Sequence, residues 1–211
     1  MNGQLEFEGE YINGEKNGKG KIYYSNGKLK YEGEYINGEK NGKVKVYHEN
    51  GKLKLEGKYI NGLKNGKIKE YYSNGQLKLE GEYINGLKNG MVKEYDDDGY
   101  LMKEIGYKKG EINGKGKEYH ENGKLKYEGE YSNGRKLKIK EYYENGNIKC
   151  EIINKKDEKG KGKEYYENGK IKYEGEYLDM KRNGKGKVYD DNGRLIYGGN
   201  FRNGKGNSIF D

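Results

Sequence analysis

The side chains of this chain that could do chemistry are few and dispersed. Two histidines, His48 and His120, stand at equivalent points of a repeated phrase, three repeats apart. At sheet spacing that is roughly 29 Å, so they predict neither a shared metal nor a proton relay. The single Cys150 excludes an internal disulfide and sits where other repeats carry Tyr31, Leu55 or Leu79, which reads as a strand-face filler. Asp96-Asp97-Asp98-Gly99 lacks the alternate ligands and terminal Glu of a calcium loop and reads as an Asp-Gly hairpin turn. Runs such as Gly18-Lys19-Gly20-Lys21 echo phosphate loops in wording alone, because no strand-to-helix junction follows. The expectation is a protein without catalytic site, metal site or cofactor.

Charge offers a second kind of chemistry. Lys and Arg number 43 against 35 Asp and Glu, a formal net charge of +8 that suits anionic partners. Lys16, Lys40, Lys64 and Lys88 recur at one loop position and predict a comb with teeth about 10 Å apart, able to meet lipid headgroups or phosphates. The competing reading is a solvated face, in which strand lysines oppose glutamates and keep exposed edges from aggregating. Tyrosines interleaved with lysines would stack bases, but every strand has them, so nucleic acid is not favoured as a partner.

The elements that position these residues come from one sentence, YEGEYINGEKNGKGKIYYSNGKLK, repeated about eight and a half times at a 24-residue step. Lys28 to Tyr35 alternates at period two and reads as a strand. The loop Asn37 to Gly42 leads to a second strand, Lys43 to His48, and Asn50-Gly51 turns the chain back. Pairing about Asn26-Gly27 as a short loop sets Tyr24 opposite Leu29, Ile22 opposite Tyr31 and Lys21 opposite Glu32. A three-residue loop with a bulge instead brings Tyr23 against Leu29. The first register repeats its charge opposition in Lys45 with Glu56, Lys69 with Glu80 and Lys117 with Glu128.

Glycines 9, 33, 57, 81, 129, 175 and 199 recur in mid-strand and need a packing reason; rings such as Tyr31 and Tyr35 lying over bare backbone would supply it. Ile105 and Ile152 replace this glycine, and the step shortens to 23 near Arg135-Lys136-Leu137. Residues 99–160 should therefore be the irregular part of a single array spanning 1–211. Only 30% of residues are hydrophobic, but 24 tyrosines compensate with large apolar rings. No apolar run reaches membrane-span length and Met1 leads into half a repeat without a signal segment, which favours the cytoplasm unless the chain is a fragment.

Tyr31, Gly33, Tyr35, Gly38 and Gly42, with Gly18-x-Gly20 in another repeat, resemble the MORN family (membrane occupation and recognition nexus repeats) over nearly the whole chain. The spacer Lys28-Leu29-Lys30 and the wording YYENGK resemble the bacterial variant of that repeat, often labelled an antitoxin of toxin–antitoxin systems. The resemblance implies an all-β fold: an elongated, curled, single-layer antiparallel meander of about eight to nine hairpin repeats of 23–24 residues. It also implies a repeat scaffold that binds another protein, with antitoxin-like neutralisation as a narrower role. Tyr24, Tyr31, Tyr35, Tyr72, Tyr83, Tyr127 and Tyr173 are the candidate anchors for that protein, since Tyr combines contact area with a hydrogen-bonding tip. The alternative is a peripheral module that meets acidic lipid through the four loop lysines, and pairing of two arrays into a homodimer is left open.

Overall fold

A computed structural model describes residues 5–155 and 158–206. The chain gathers into two compact units, Met1–Glu111 and Ile112–Asp211. The described residues form strands and turns and no helix. The first unit holds β1 (Phe7–Ile12), β2 (Glu15–Tyr23), β3 (Leu29–Ile36), β4 (Glu39–Tyr47), β5 (Leu53–Ile60), β6 (Leu63–Tyr71), β7 (Leu77–Ile84), β8 (Leu87–Tyr95) and β9 (Leu101–Lys108). The second holds β10 (Glu111–Tyr119), β11 (Leu125–Ser132), β12 (Arg135–Tyr142), β13 (Ile148–Lys155), β14 (Glu158–Tyr165), β15 (Ile171–Leu178), β16 (Lys181–Tyr189), β17 (Leu195–Arg202) and β18 (Lys205–Gly206). Within each unit every strand pairs antiparallel with its neighbours in sequence, so each is a meander of hairpins.

Both registers weighed from the sequence occur in one hairpin. Gly20, Lys21 and Ile22 oppose Gly33, Glu32 and Tyr31, and a bulge beside the turn then sets Tyr23 against Leu29. The bulge is local, so it shifts the pair next to the turn without exchanging the faces of the whole strand. The charge oppositions Lys45–Glu56, Lys69–Glu80 and Lys117–Glu128 hold as directly opposed residues.

The loop expected over residues 37–42 is shorter than its composition suggested. Asn37 and Gly38, at φ of 49° and 78°, make a two-residue turn, and β4 begins at Glu39. The second Asn-Gly pair lies inside the strand, where pairing jumps from Gly33–Val44 to Glu34–Asn41 and leaves Gly42 and Lys43 out of it. Gly42, at φ 72°, accommodates that bulge. The 23-residue step uses the same device in reverse: pairing passes from Glu130–Lys138 to Tyr131–Lys136, skipping one residue where other repeats skip two. Face and register therefore survive the shortening, though residues 156–157 of the expected irregular stretch lie outside the described residues.

Neighbouring repeats are also tied at their turns. The amides of Gly38, Gly62, Gly86, Gly134 and Gly204 donate at 2.8–2.9 Å to the carbonyls of Lys16, Lys40, Lys64, Ile112 and Arg182 of the preceding repeat. Tyr24, Tyr72, Tyr143 and Tyr166 each donate a phenol to a carbonyl in the following repeat, at 2.7–2.9 Å.

One face of each sheet is the core. In the first unit it holds Tyr31, Tyr35, Val44, Leu55, Ile68, Leu79, Tyr83 and Val92; in the second Tyr127, Tyr131, Ile139, Cys150, Ile152, Tyr173, Tyr177 and Phe201. Burying each side chain of this size contributes about 1.5–3 kcal/mol, which is how a chain so poor in apolar residues folds. The glycine row is covered, as its position required. The Tyr173 hydroxyl would stand 2.4 Å from a Cβ on Gly175 and 2.5 Å from one on Gly186. At Gly81 the cover is Val92, and Ile105 and Ile152 are themselves buried in the core face.

Candidate binding faces

The tyrosines proposed as anchors divide into two structural roles, and neither leaves them as free contacts. Tyr31, Tyr35, Tyr83, Tyr127 and Tyr173 are at most 6% exposed, so they form the core. This corrects their assignment as partner contacts: alternation places them on one face correctly, but that face is the one the protein itself covers. Tyr24 and Tyr72 are half-buried, and their phenols are spent on the bonds between repeats.

The histidines explain themselves by the same position. His48 and His120 take the place of those staple tyrosines, and each Nε2 lies 3.0–3.1 Å from the carbonyl of Tyr71 or Tyr142. Since a carbonyl only accepts, Nε2 carries the proton and donates. Cys150 is buried, and burial, aided by Glu141, pushes its thiol up to about 12, which leaves it a filler without nucleophilic character. Asp96 accepts from the amides of Asp98 and Tyr100 at 3.2 and 2.8 Å, so the Asp-rich run is a turn. Among the described residues no group of His, Cys, Asp and Glu could hold a metal ion.

The four lysines read as loop residues lie instead on β2, β4, β6 and β8, at the second position of each strand, and their ammonium groups cap the core. Lys16 lies 4.4 Å from the ring centroid of Phe7, Lys40 4.7 Å from Tyr31, Lys64 5.1 Å from Tyr83 and Lys88 4.9 Å from Tyr107. All four are half-buried. Lys64 also pairs with Glu70, and Lys88 with Glu94 at 3.2 Å. Lys40 has a hydrophobic Val46 where those two have glutamate; burial, with the charges of Lys30 and Lys16, holds its ammonium below the usual lysine range. In the second unit Arg182 does this work, 4.3 Å over Tyr173 and paired twice with Glu164 through Nε–Oε1 at 2.8 Å and Nη2–Oε2 at 2.5 Å. Burial by itself would raise the Glu164 carboxyl, yet the hydrogen bonds from Arg182 and Tyr177 outweigh it and hold the group low.

The opposite face is where a ligand has access. In the first unit Glu8, Lys21, Glu32, Lys45, Glu56, Lys69, Glu80, Lys93 and Glu104 succeed one another across nine strands as directly opposed residues. Tyrosines brace the row: Tyr23, Tyr47, Tyr71 and Tyr95 donate to Glu8, Glu32, Glu56 and Glu80 at 2.5–3.0 Å. Burial, followed by the bond to glutamate, raises the phenols of Tyr47, Tyr71 and Tyr95 to about 12. A second row runs one residue beyond the glycines and includes Lys19, Glu34, Lys43, Lys58 and Lys67.

Between the two rows the backbone of the glycine positions is the floor of a groove of about 860 Å³. The second unit has its own groove of about 900 Å³, with Gly162, Gly175, Gly186 and Gly199 along its floor and Lys163, Glu174 and Lys187 on its wall. These grooves are the candidate feature that reading the tyrosines missed. The signal was present in the glycine row, which lies between two charged residues on β1, β3, β5, β7, β11 and β15.

No helix among the described residues is long and apolar enough to cross a membrane. Among curated proteins none matches the chain. The MORN repeat variant matches residues 40–61, 64–85, 112–133, 137–153 and 158–179, and the MORN repeat matches 7–28, 31–43, 80–99 and 173–193. With hairpins at these positions and the glycine row beneath their rings, the chain belongs to the MORN repeat family, whose repeats are non-catalytic modules that often bind proteins or lipids.

Proposed function

We propose that this protein is a non-enzymatic scaffold that holds another protein along the charged face of its sheets. The observation that carries the reading is the pair of grooves, one in each unit, floored by bare backbone and walled by paired charges. A floor without side chains admits close approach of another chain, and walls of opposed Lys and Glu select by pattern. The core tyrosines serve this role indirectly, by holding the strands that carry the walls. Neutralisation of a toxic partner is the narrower form of the same reading, and co-expression with a candidate toxin tests it by rescue of growth.

A photo-crosslinking residue at Lys45 or Lys187, on the groove walls, should capture a protein in the native host, while the same residue at Lys52, by a turn, should not. Capture of nothing from either groove overturns the reading. The second reading, an acidic lipid surface met by Lys16, Lys40, Lys64 and Lys88, is less well supported because those ammonium groups rest over rings. Flotation with anionic vesicles at two salt concentrations tests it, since headgroup attraction is screened by salt.

A further inference from the structure

The grooves differ in charge, and the difference comes from one position. Seven lysines and four glutamates line the groove of the first unit, against four lysines and three glutamates in the second. In the second row, lysines on even strands are directly opposed by glutamate in several repeats: Lys19 by Glu34, Lys67 by Glu82, Lys115 by Glu130 and Lys161 by Glu176. At β5 the phrase reads LEGKY in place of YEGEY, so Lys43 is directly opposed by Lys58. Like charges placed opposite one another in a sheet destabilise it. Lys67 follows on β6, so three exposed lysines stand on consecutive strands, within about 10 Å by strand spacing. None of the three forms an ion pair among the described residues.

We infer that the groove of the first unit binds an extended acidic segment of the protein partner, with its carboxylates on Lys43, Lys58 and Lys67. This rests on the protein-scaffold reading above and names the chemistry of the occupant. An extended chain sets alternate side chains about 7 Å apart on one side, so two or three carboxylates reach the cluster while the backbone lies over the floor between Gly33 and Gly57. The neighbouring row cannot supply these charges, because Lys45 and Glu32 already pair with each other at 3.8 Å and Tyr47 and Tyr71 occupy Glu32 and Glu56. The like pair Lys43–Lys58, with Lys67 beside it, thus adds positive charge to a wall in which other lysines face glutamates, and an acidic chain completes the balance.

The test is titration of the whole protein into a fluorescein-labelled peptide of ten glutamates, followed by anisotropy at low and moderate salt. The peptide should bind and weaken steeply with salt. Lys58→Glu, which restores the residue found at this point in other repeats, should weaken binding at least about tenfold. It should leave the melting temperature equal or higher, because it replaces a like pair with an opposed one. Lys67→Gln should weaken binding to a smaller degree, and remains informative should Lys58→Glu fail to fold. Lys126→Glu, which changes the charge equally and lies outside both grooves, should change binding less than about twofold.

Absence of peptide binding overturns the inference, as does equal loss in Lys58→Glu and Lys126→Glu, which would mean that net charge alone attracts the peptide. Preference for anionic vesicles or a single-stranded oligonucleotide over the peptide, lost in Lys58→Glu, would assign the cluster to another class of ligand and overturns it too. Crosslinks from Lys45 and Lys187 to a protein would in each of these cases leave the scaffold reading standing.

Discussion

The middle strands of the first unit and the last strands of the second meet one packing problem with opposite solutions. On the even strands, the core position facing the glycine row is Val44, Ile68 and Val92 on β4, β6 and β8 of the first unit, and Gly162 and Gly186 on β14 and β16 of the second, while β2 carries Gly20 and β12 carries Ile139. Where an aliphatic side chain fills the space, the neighbouring row needs only Leu55 or Leu79. Where glycine faces glycine, aromatic rings descend onto both backbones, with Tyr173 edge-on to Tyr177 and to Phe201 at centroid separations of 5.4 and 5.1 Å. The first solution is tolerant, because a side chain can shift. The second is not, because the ring is held between two backbones.

That contrast is broken or sharpened most directly at the glycines. A Cβ on Gly175 would meet the Tyr173 hydroxyl at 2.4 Å, the Gly186 Cα at 2.6 Å and the Lys185 carbonyl at 2.7 Å, two of which are backbone atoms. At Gly81 the nearest atoms all belong to the Val92 side chain, beginning at 2.8 Å. Gly175→Ala should therefore cost about 3 kcal/mol of unfolding free energy and Gly81→Ala about 1, measured by urea denaturation. Equal losses would show that the two cores respond alike and that the aromatic packing is as yielding as the aliphatic.

The caps over the rings should differ next. Arg182→Met strands a Glu164 carboxylate that is only about one-quarter exposed, and should lower stability by about 2 kcal/mol at neutral pH after allowance for solvent screening. Lys40→Met removes an ammonium that burial already disfavours and should change stability by less than about 0.5 kcal/mol, or raise it. The sign with pH follows from the lowered carboxyl of Glu164. Its contribution is present above the ordinary carboxylate value of about 4.3 and is lost as pH falls through its folded value, so the gap between wild type and Arg182→Met should close in acid. A gap that persists at low pH would mean that Arg182 acts through its packing on Tyr173.

A modest effect belongs to the braces of the charged row. Tyr71→Phe should cost about 1 kcal/mol, since the lost partner, Glu56, stays accessible to water. In the wild type, phenols raised to about 12 contribute stability that is complete below the ordinary tyrosine value of about 10 and lost as pH climbs through 12. Ultraviolet titration that found all tyrosines ionising together near 10 would remove the braces from the account.

Strands, hairpin turns and the opposition of Lys21 with Glu32 were legible from alternation and Asn-Gly pairs, because both are set by local geometry. Which face is dry was not, since period two separates two faces without saying which one is covered. Tyrosine made the choice harder, being fit for a core or a contact surface alike. The bulge at Gly42 and Lys43 was equally hidden. It reads as a loop in sequence, and only pairing with the neighbouring strand shows that the ladder continues past it. The grooves follow from those two facts together, and so were not visible until both were known.

The turn amides held between repeats have a consequence for the lifetime of the molecule. Asn-Gly is the dipeptide most prone to lose its side-chain ammonia, through attack by the glycine nitrogen on the asparagine carboxamide. At Asn37, Asn61, Asn85, Asn133 and Asn203 that nitrogen is directed instead at a carbonyl of the preceding repeat, 2.8–2.9 Å away. Stacking thus slows chemical ageing at the turns it creates, and a repeat that frays from its neighbour starts a clock that cannot be rewound.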